Sequence, residues 1–486
     1  MPNPTDNPPS LKGKTASGLL WGGLSQGAQQ LLNLVFGIFL ARLLSQSDYG
    51  MVGLLTVFST LAAALQEGGF ISALANKKEV THSDYNAVFW FSTLCSLTFY
   101  VLLFLLAPLI ARFYGIPELT PLARLLFLGF VVASMASAPR AYLFRNLMVR
   151  QTTIISLTAL IVSGVAGIVL AANGFAYWGL AMQSILFVAV VTALNFHFAR
   201  FRPTLPIDLR PLRGLIGFSS RMVVTNVFNI INQNLFAMVL GKLYSPTQVG
   251  NFTQANKWNS MGHATVTSML QGVAQPVLAQ VADDRSRQLA VFRKLLRFTA
   301  FVSFPALFGL SIISEELIVL TITERWLDSA RILRLLCIWG AFAPITGLFS
   351  QLVISRGRSS VYMWSTIALA LVQLTAAIVS SPWGLEWMLR VFVAVHVGWL
   401  FVWFAFAHRE VGMRLLDLLR DLAPYLLLSL ILTAGAYLLA SPIESRLLSL
   451  LVKVAVVAGL YALILWRLDS VIFRETVDYL LRRKRP

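Results

Sequence analysis

Charge is what this chain has least of. Of its 486 residues, 12% are Asp, Glu, Lys or Arg against 57% hydrophobic, and the mean hydropathy is +0.72. A soluble protein of that length needs far more charge to cover its surface, so a soluble fold is excluded and a polytopic membrane protein remains. Acids are the scarcer sign, 21 against 39 Lys and Arg, giving a formal net charge of +18. Cysteine is nearly absent: Cys95 and Cys337 each sit inside an apolar run, so no disulfide framework is implied. Long polar connections are missing as well. None exceeds about 20 residues, which leaves no room for a soluble catalytic domain. The opening segment MPNPTDNPPSLKGK is polar and proline-rich without the architecture of a cleavable signal, and the first apolar run is expected to serve as an uncleaved anchor.

What the chain does have is apolar runs. A bilayer core about 30 Å thick takes about 20 apolar residues per helix. Fourteen such runs are read, at 15–41, 48–72, 86–111, 120–145, 151–172, 176–199, 214–241, 247–275, 290–313, 329–354, 360–381, 386–407, 421–440 and 447–466. They predict an all-α polytopic membrane protein of about fourteen transmembrane helices. The segment ARFRPTLPIDLRPLRG, residues 199–214, has the prolines and arginines of a cytoplasmic linker between two six-helix blocks. The expected organisation is therefore a cytoplasmic tail (1–14), an N-lobe of helices 1–6 (15–199), a linker (200–213) and a C-lobe of helices 7–12 (214–408). Helices 13 and 14 (409–466) and a basic cytoplasmic tail (467–486) complete it.

The basic residues report orientation. Lys and Arg of membrane proteins collect in cytoplasmic connections. With both termini inside, the connections on that side hold 26 of the 39 Lys and Arg, and those on the opposite side hold 10. That bias predicts an even number of helices with both termini cytoplasmic. Anionic lipid head groups are the partner such charge meets, and nucleic acid is not expected.

The two blocks read as repeats. FLARLLSQSDYG (39–50) aligns with VLGKLYSPTQVG (239–250) at an offset of 200, matching Leu40 with Leu240, Arg42 with Lys242, Ser45 with Ser245 and Gly50 with Gly250. The same offset pairs Gln26 with Asn226, Gln29 with Asn229 and Asn33 with Gln233. Residues 26, 29 and 33 follow i, i+3, i+7 spacing, which puts three amides on one helix face. One amide at membrane depth is ordinarily interhelical glue at roughly 1 kcal/mol. Two clusters in register are expected instead to line a hydrated cleft. Six helices per block makes the repeat parallel, about an axis along the membrane normal.

Charges at membrane depth add to this. Each costs about 2.5–3.5 kcal/mol or more unless it meets water or a partner. Arg221 and Lys257 stand out on helices 7 and 8, and helix 8 also carries Asn256, Asn259 and His263 at i, i+3, i+7. These are expected to face the cleft. Arg124, Arg297 and Arg334 lie near helix ends and are expected to snorkel, with Arg297 kept among the candidate ligands. Glu67 is the clearest acid, near the inner end of helix 2, and is the candidate for ion coupling. His263 and His396 are read as buried, hydrogen-bonded side chains. Intramembrane cations and amides suit phosphate, pyrophosphate or acidic sugars; a site for hydrophobic cations would show Asp or Glu in the same place.

The stretch GLLWGGLSQGAQQLLNLVFGIFLARLLSQSDYGMVGLLTVFSTL, followed by EGGFISALANKKEVTHSDYNAVFWFS, resembles the polysaccharide transporter (Wzx-type) branch of the multidrug/oligosaccharidyl-lipid/polysaccharide (MOP) flippase superfamily. Its most specific part is the LAR-L-S-x-x-D-Y-G junction. The resemblance implies a V-shaped bundle of two pseudo-symmetric six-helix lobes plus two C-terminal helices, with helices 1, 2, 7 and 8 around a central cavity. It implies flipping of undecaprenyl-pyrophosphate-linked oligosaccharide repeat units, of the exopolysaccharide or O-antigen type, across the bacterial inner membrane by alternating access. Coupling would be to a proton, sodium or the membrane potential, with no cofactor or metal. Membrane lipids, and polymerase and chain-length machinery, are the partners it brings to mind. A drug or metabolite antiporter of the same superfamily is the rival, and predicts acids in the N-lobe cavity. A membrane polymerase or ligase needs a substantial outward loop, and the longest here, SEELIVLTITERWLDSARI, is largely apolar.

Overall fold

Side chains without charge fix the secondary structure first. In lipid every backbone amide must be satisfied within its own segment, and helices do this. The computed structural model describes residues 11–67, 74, 80–146, 148–205, 207–210, 230–231, 234–467 and 473–474, with side chains for these except 11–25, 62–67, 265, 269, 271–273 and 359. Among the described residues there is no strand.

In chain order the helices are α1 (Leu11–Leu43), α2 (Gln46–Glu67), α3 (His82–Tyr114), α4 (Leu119–Met135), α5 (Ser137–Arg145), α6 (Val149–Ala172) and α7 (Ala176–Ala199). They continue with α8 (Asn234–Leu243), α9 (Pro246–Gln280), α10 (Arg285–Ile312), α11 (Ser314–Ile322), α12 (Leu327–Ser355) and α13 (Ser359–Ser380). Last come α14 (Leu385–Val411), α15 (Leu415–Ala440) and α16 (Arg446–Arg467). Among the described residues nine helices are long and apolar enough to cross a membrane, and ten if α4 and α5, bent by 44°, form one span. The helix positions follow the runs expected from hydropathy, except that most of the seventh run, 214–241, lies outside the described residues. Helices α1 and α9, 33 and 35 residues long, stand outside the nine although their length suffices. They carry the amide-rich stretches.

The LAR-L-S-x-x-D-Y-G junction has a physical basis. The Ser45 amide donates to Asp48 Oδ2 at 2.9 Å, and the Asp48 amide donates to Ser45 Oγ at 3.2 Å. This reciprocal pair is a capping box that starts α2. Thr81 and Asp84 repeat it at the start of α3, with the Thr81 amide 2.9 Å from Asp84 Oδ2. The glycine of the junction serves close approach. A Cβ on Gly50 would overlap the main chain of Pro246, and a Cβ on Gly250 would overlap the main chain of Gln46. Residue 50 meets 246 and residue 250 meets 46, a reciprocal contact between positions that the offset of 200 equates. Glycine lets two backbones approach where any side chain would part them.

The chain divides into two compact units, Met1–Gly250 and Asn251–Pro486. In the first, α6 and α7 form an antiparallel pair, and α1 packs on α6 where Phe36 covers Gly164. In the second, α10 is central and packs against α12, α15 and α16. The Tyr461 hydroxyl of α16 donates to the Phe301 carbonyl of α10 at 2.9 Å.

Gly50→Ala and Gly250→Ala should each lower the thermal midpoint of the purified protein, by a loss in the range of about 1–3 kcal/mol typical of overpacking. Gly129→Ala, where nothing lies within 4 Å of the added carbon, should leave it unchanged.

Candidate functional site

Helix α9 sorts its polar residues onto two faces. Asn251, Gln254, Trp258 and Asn259 are buried, and Asn259 is fully so. The Ser329 hydroxyl of α12 donates to Asn251 Oδ1 at 2.9 Å. Asn259 lies over Gly340 of α12, so close that a Cβ there would overlap its Oδ1. His263 faces the same interior, with its ring centroid 5.9 Å from that of Trp339. Opposite lie Thr253, Asn256, Lys257, Ser260 and Ala264, all half-exposed, at the i, i+3, i+4, i+7, i+11 spacing of one stripe.

The three residues expected to share a cleft face therefore part company. Asn256 stays on the open stripe with Lys257, Asn259 turns into the second unit, and His263 is half-exposed with its ring against Trp339. The i, i+3, i+7 rule places residues within about 60° of one another, and the boundary between packed and open faces runs through that arc. Thr253 and Ser260 join the stripe although neither stood out in the sequence; their periodicity with Lys257 was the available signal. Lys257 makes no ion pair with a described residue. A half-exposed ammonium among two hydroxyls and an amide is a donor-rich surface for anionic or polyhydroxylated ligands.

In α1, Gln26 and Asn33 are exposed and Gln29 is half-buried. Their stripe continues into Gly37, Leu40 and Leu44, which are buried, so it is packed at one end of the helix and open at the other. Arg221, Asn226, Asn229 and Gln233 lie outside the described residues, as does the side chain of Glu67.

Several other cations of the described helices are matched. Arg293 of α10 holds Asp421 of α15 through Nε at 2.6 Å and Nη2 at 3.1 Å, and its Nη1 lies 2.8 Å from Asp417. Arg297 sits beside them, its Nε 3.5 Å from Asp421 Oδ1. It is nearly half exposed and shares Asp421 with Arg293. Arg124 lies 4.2 Å over the Phe104 ring and Arg334 lies 5.6 Å over that of Tyr437. These two arginines use the same cation–π solution. His396 is hydrogen-bonded, with Gln373 Nε2 at 2.7 Å and the Phe392 carbonyl at 3.0 Å. The Asp417/Asp421 acids and a Lys453–Glu316 pair were missed from sequence. An acid and a lysine inside two apolar runs, each costly alone, were the signal for them.

A family model described as "Polysaccharide biosynthesis protein" matches residues 39–331. The lipopolysaccharide biosynthesis protein WzxC of Escherichia coli (strain K12) is 27% identical over 355 residues, 72% of this chain and 71% of that protein. The succinoglycan biosynthesis transport protein ExoT of Rhizobium meliloti (strain 1021) is 23% identical over 484 residues, 98% of each. Among solved structures, the lipid II flippase MurJ in an inward closed conformation superposes with a TM-score of 0.74 at 15% identity, over 93% of this chain and 100% of that one. That likeness gives the fold.

The two faces of α9 differ in packing. Asn259→Leu should leave the thermal midpoint unchanged or raise it, because an apolar isostere replaces a buried amide without a partner among the described residues. Asn256→Leu should also leave it unchanged, yet impair transport.

Proposed function

We propose, for a chain that belongs to the polysaccharide biosynthesis protein family, that it flips undecaprenyl-pyrophosphate-linked oligosaccharide repeat units across the bacterial inner membrane by alternating access. The protein is a multi-pass membrane protein with the fold of MOP-superfamily flippases, and its relatives carry names from polysaccharide biosynthesis and transport. The finer reading rests on the open stripe of α9.

The carrying observation is Lys257: a half-exposed lysine on a helix long enough to span, with no ion pair to a described residue and with hydroxyl and amide neighbours. A lysine left toward hydrocarbon would cost about 2.5–3.5 kcal/mol, so the stripe belongs against water or a ligand. In this reading Lys257 and Arg221 contact the pyrophosphate or acidic sugars. Asn256, Thr253 and Ser260, with Gln26, Gln29 and Asn33 of α1 and Asn226, Asn229 and Gln233, bind sugar hydroxyls. Lobes at 15–199 and 214–408 would rock about the site, both termini would be cytoplasmic, and Glu67 is the candidate for ion coupling. The family reading is that of a transporter, and no catalytic step is assigned.

Reconstitution into liposomes with a fluorescent polyprenyl-pyrophosphate oligosaccharide tests this. Wild type should move the lipid between leaflets. Lys257→Ala and Arg221→Ala should each slow it at least about tenfold, the loss expected for a contact worth about 1.4 kcal/mol. Arg221→Lys should restore only part, because an ammonium lacks the bidentate fork. Wild-type flipping by the Arg221→Ala, Lys257→Ala double variant would refute the site. Movement of a cationic drug but not of the lipid would favour the antiporter.

A further inference from the structure

A second polar site lies inside the Asn251–Pro486 unit, remote in sequence from the α9 stripe. It sits where the short helix α11 meets α16. Glu316 of α11 and Lys453 of α16 are both buried and form an ion pair. Lys453 Nζ also donates to the Ile312 carbonyl at 3.1 Å, and the Ser449 hydroxyl donates to Glu316 Oε1 at 2.9 Å. Both side-chain bonds to the carboxylate thus fall on Oε1. Oε2 is buried and has no hydrogen-bond partner among the described residues.

A cavity of about 80 Å³ adjoins the pair, lined by Ser311, Ser314, Glu315, Arg331, Arg334 and Tyr437 together with Glu316 and Lys453. A water needs about 10–15 Å³ and two or more polar partners, so the cavity has room for several and the groups to hold them. Buried carboxylate oxygens are rarely left without a donor. The free oxygen beside a polar, water-sized cavity is therefore placed to accept a proton from water there.

We propose that Glu316 is a proton-binding site: a proton arriving through this cavity adds to Oε2, neutralises the carboxylate and releases the Lys453 ammonium, freeing α16 from α11. The proton stays on the carboxyl and Lys453 keeps its own, so charge alone drives the change. The facing groups are unequal. Lys453 and Arg446 come from α16, Arg331, Arg334 and Asp328 from α12, Glu315 from α11, Glu324 from the turn after it, and Tyr437 from α15, while α10 contributes no charge. Arg331 is held by Asp328 at 3.2 Å and Arg446 by Glu324 at 2.5 Å. Once Glu316 is neutral, Lys453 and Arg334 lie near the same cavity, and among the described residues lining it Glu315 is the acid left to oppose them. An unpaired buried ammonium is strongly unfavourable, so α16 must withdraw or admit water.

The direction of the pH response follows. Burial disfavours the Glu316 carboxylate, but the bond from Lys453, its own backbone and Ser449 outweigh that and hold the carboxyl below its ordinary value. A carboxyl depressed in the docked state stabilises docking above the free glutamate value of about 4.3, and loses that contribution as pH falls through the depressed value. By linkage, protons bind more tightly once α16 has moved, and undocking is accompanied by proton uptake.

The test uses the full chain in lipid nanodiscs, with Cys95→Ser and Cys337→Ala, and spin labels on Leu320→Cys in α11 and Leu451→Cys in α16. Distances should be short and narrow at pH 7, and should lengthen or broaden well below pH 4.3. Glu316→Gln should show the acid distribution already at pH 7. Should that single variant fail to fold, the Glu316→Gln, Lys453→Met pair removes both charges, a change often neutral or stabilising. It should then give one distribution at both pH values. An acid shift in this double variant equal to that of wild type would overturn the proposal, as would a wild-type distribution that does not move. None of these readouts depends on which lipid the protein carries, so failure here leaves the flippase reading intact, and the reverse.

Discussion

A charge at membrane depth must find a partner, and this requirement organises the described helices. Hydrocarbon offers none, so each such group is resolved by an acid, an aromatic face or water. Arg293 and Arg297 take Asp417 and Asp421; Lys453 takes Glu316. Arg124 and Arg334 take Phe104 and Tyr437. Lys257 takes none of these among the described residues, and that is why the stripe around it carries the functional reading. The ion pairs need not add much net stability, since desolvation offsets most of their attraction. Their role is positional: they fix α15 and α16 on α10 and α11 at two places where slippage would strand a charge.

Much of this was legible in the sequence. Apolar runs of spanning length placed the helices because the bilayer leaves the backbone one economical solution. The offset of 200 foresaw the equivalence of Gly50 and Gly250, which the reciprocal approach to Pro246 and Gln46 now explains. The Ser45 and Asp48 of the junction motif proved to be a helix cap. The α9 cluster was legible as polar but not as two-faced. Spacing at i, i+3, i+7 tells which residues are near one another, not where the packed arc ends. Asn259 lies inside that arc because Gly340, 81 residues on, leaves room for it. The tie between Glu316 and Lys453 spans 137 residues and is not a periodic signal at all. Such pairing emerges only when the helices are in place.

Two polar systems thus coexist in the second unit. The open stripe of α9 suits a hydroxylated anion, while the Glu316 cavity suits a proton. Their separation means that ligand recognition and docking of the C-terminal helices are adjustable by different residues. It also gives the buried face of α9, with Asn251, Gln254 and Asn259, a structural part that the open face does not share.

Everything functional here depends on the stripe being wet, and thiol accessibility measures that most directly. In a chain lacking Cys95 and Cys337, Asn256→Cys and Ser260→Cys should react with a membrane-impermeant thiol reagent, because the thiolate forms where water reaches. Asn259→Cys on the packed face and Leu427→Cys on the apolar surface of α15 should not. Saturating lipid-linked oligosaccharide should protect the first two. Equal labelling at all four positions, or none at residues 256 and 260, would contradict a hydrated site on α9.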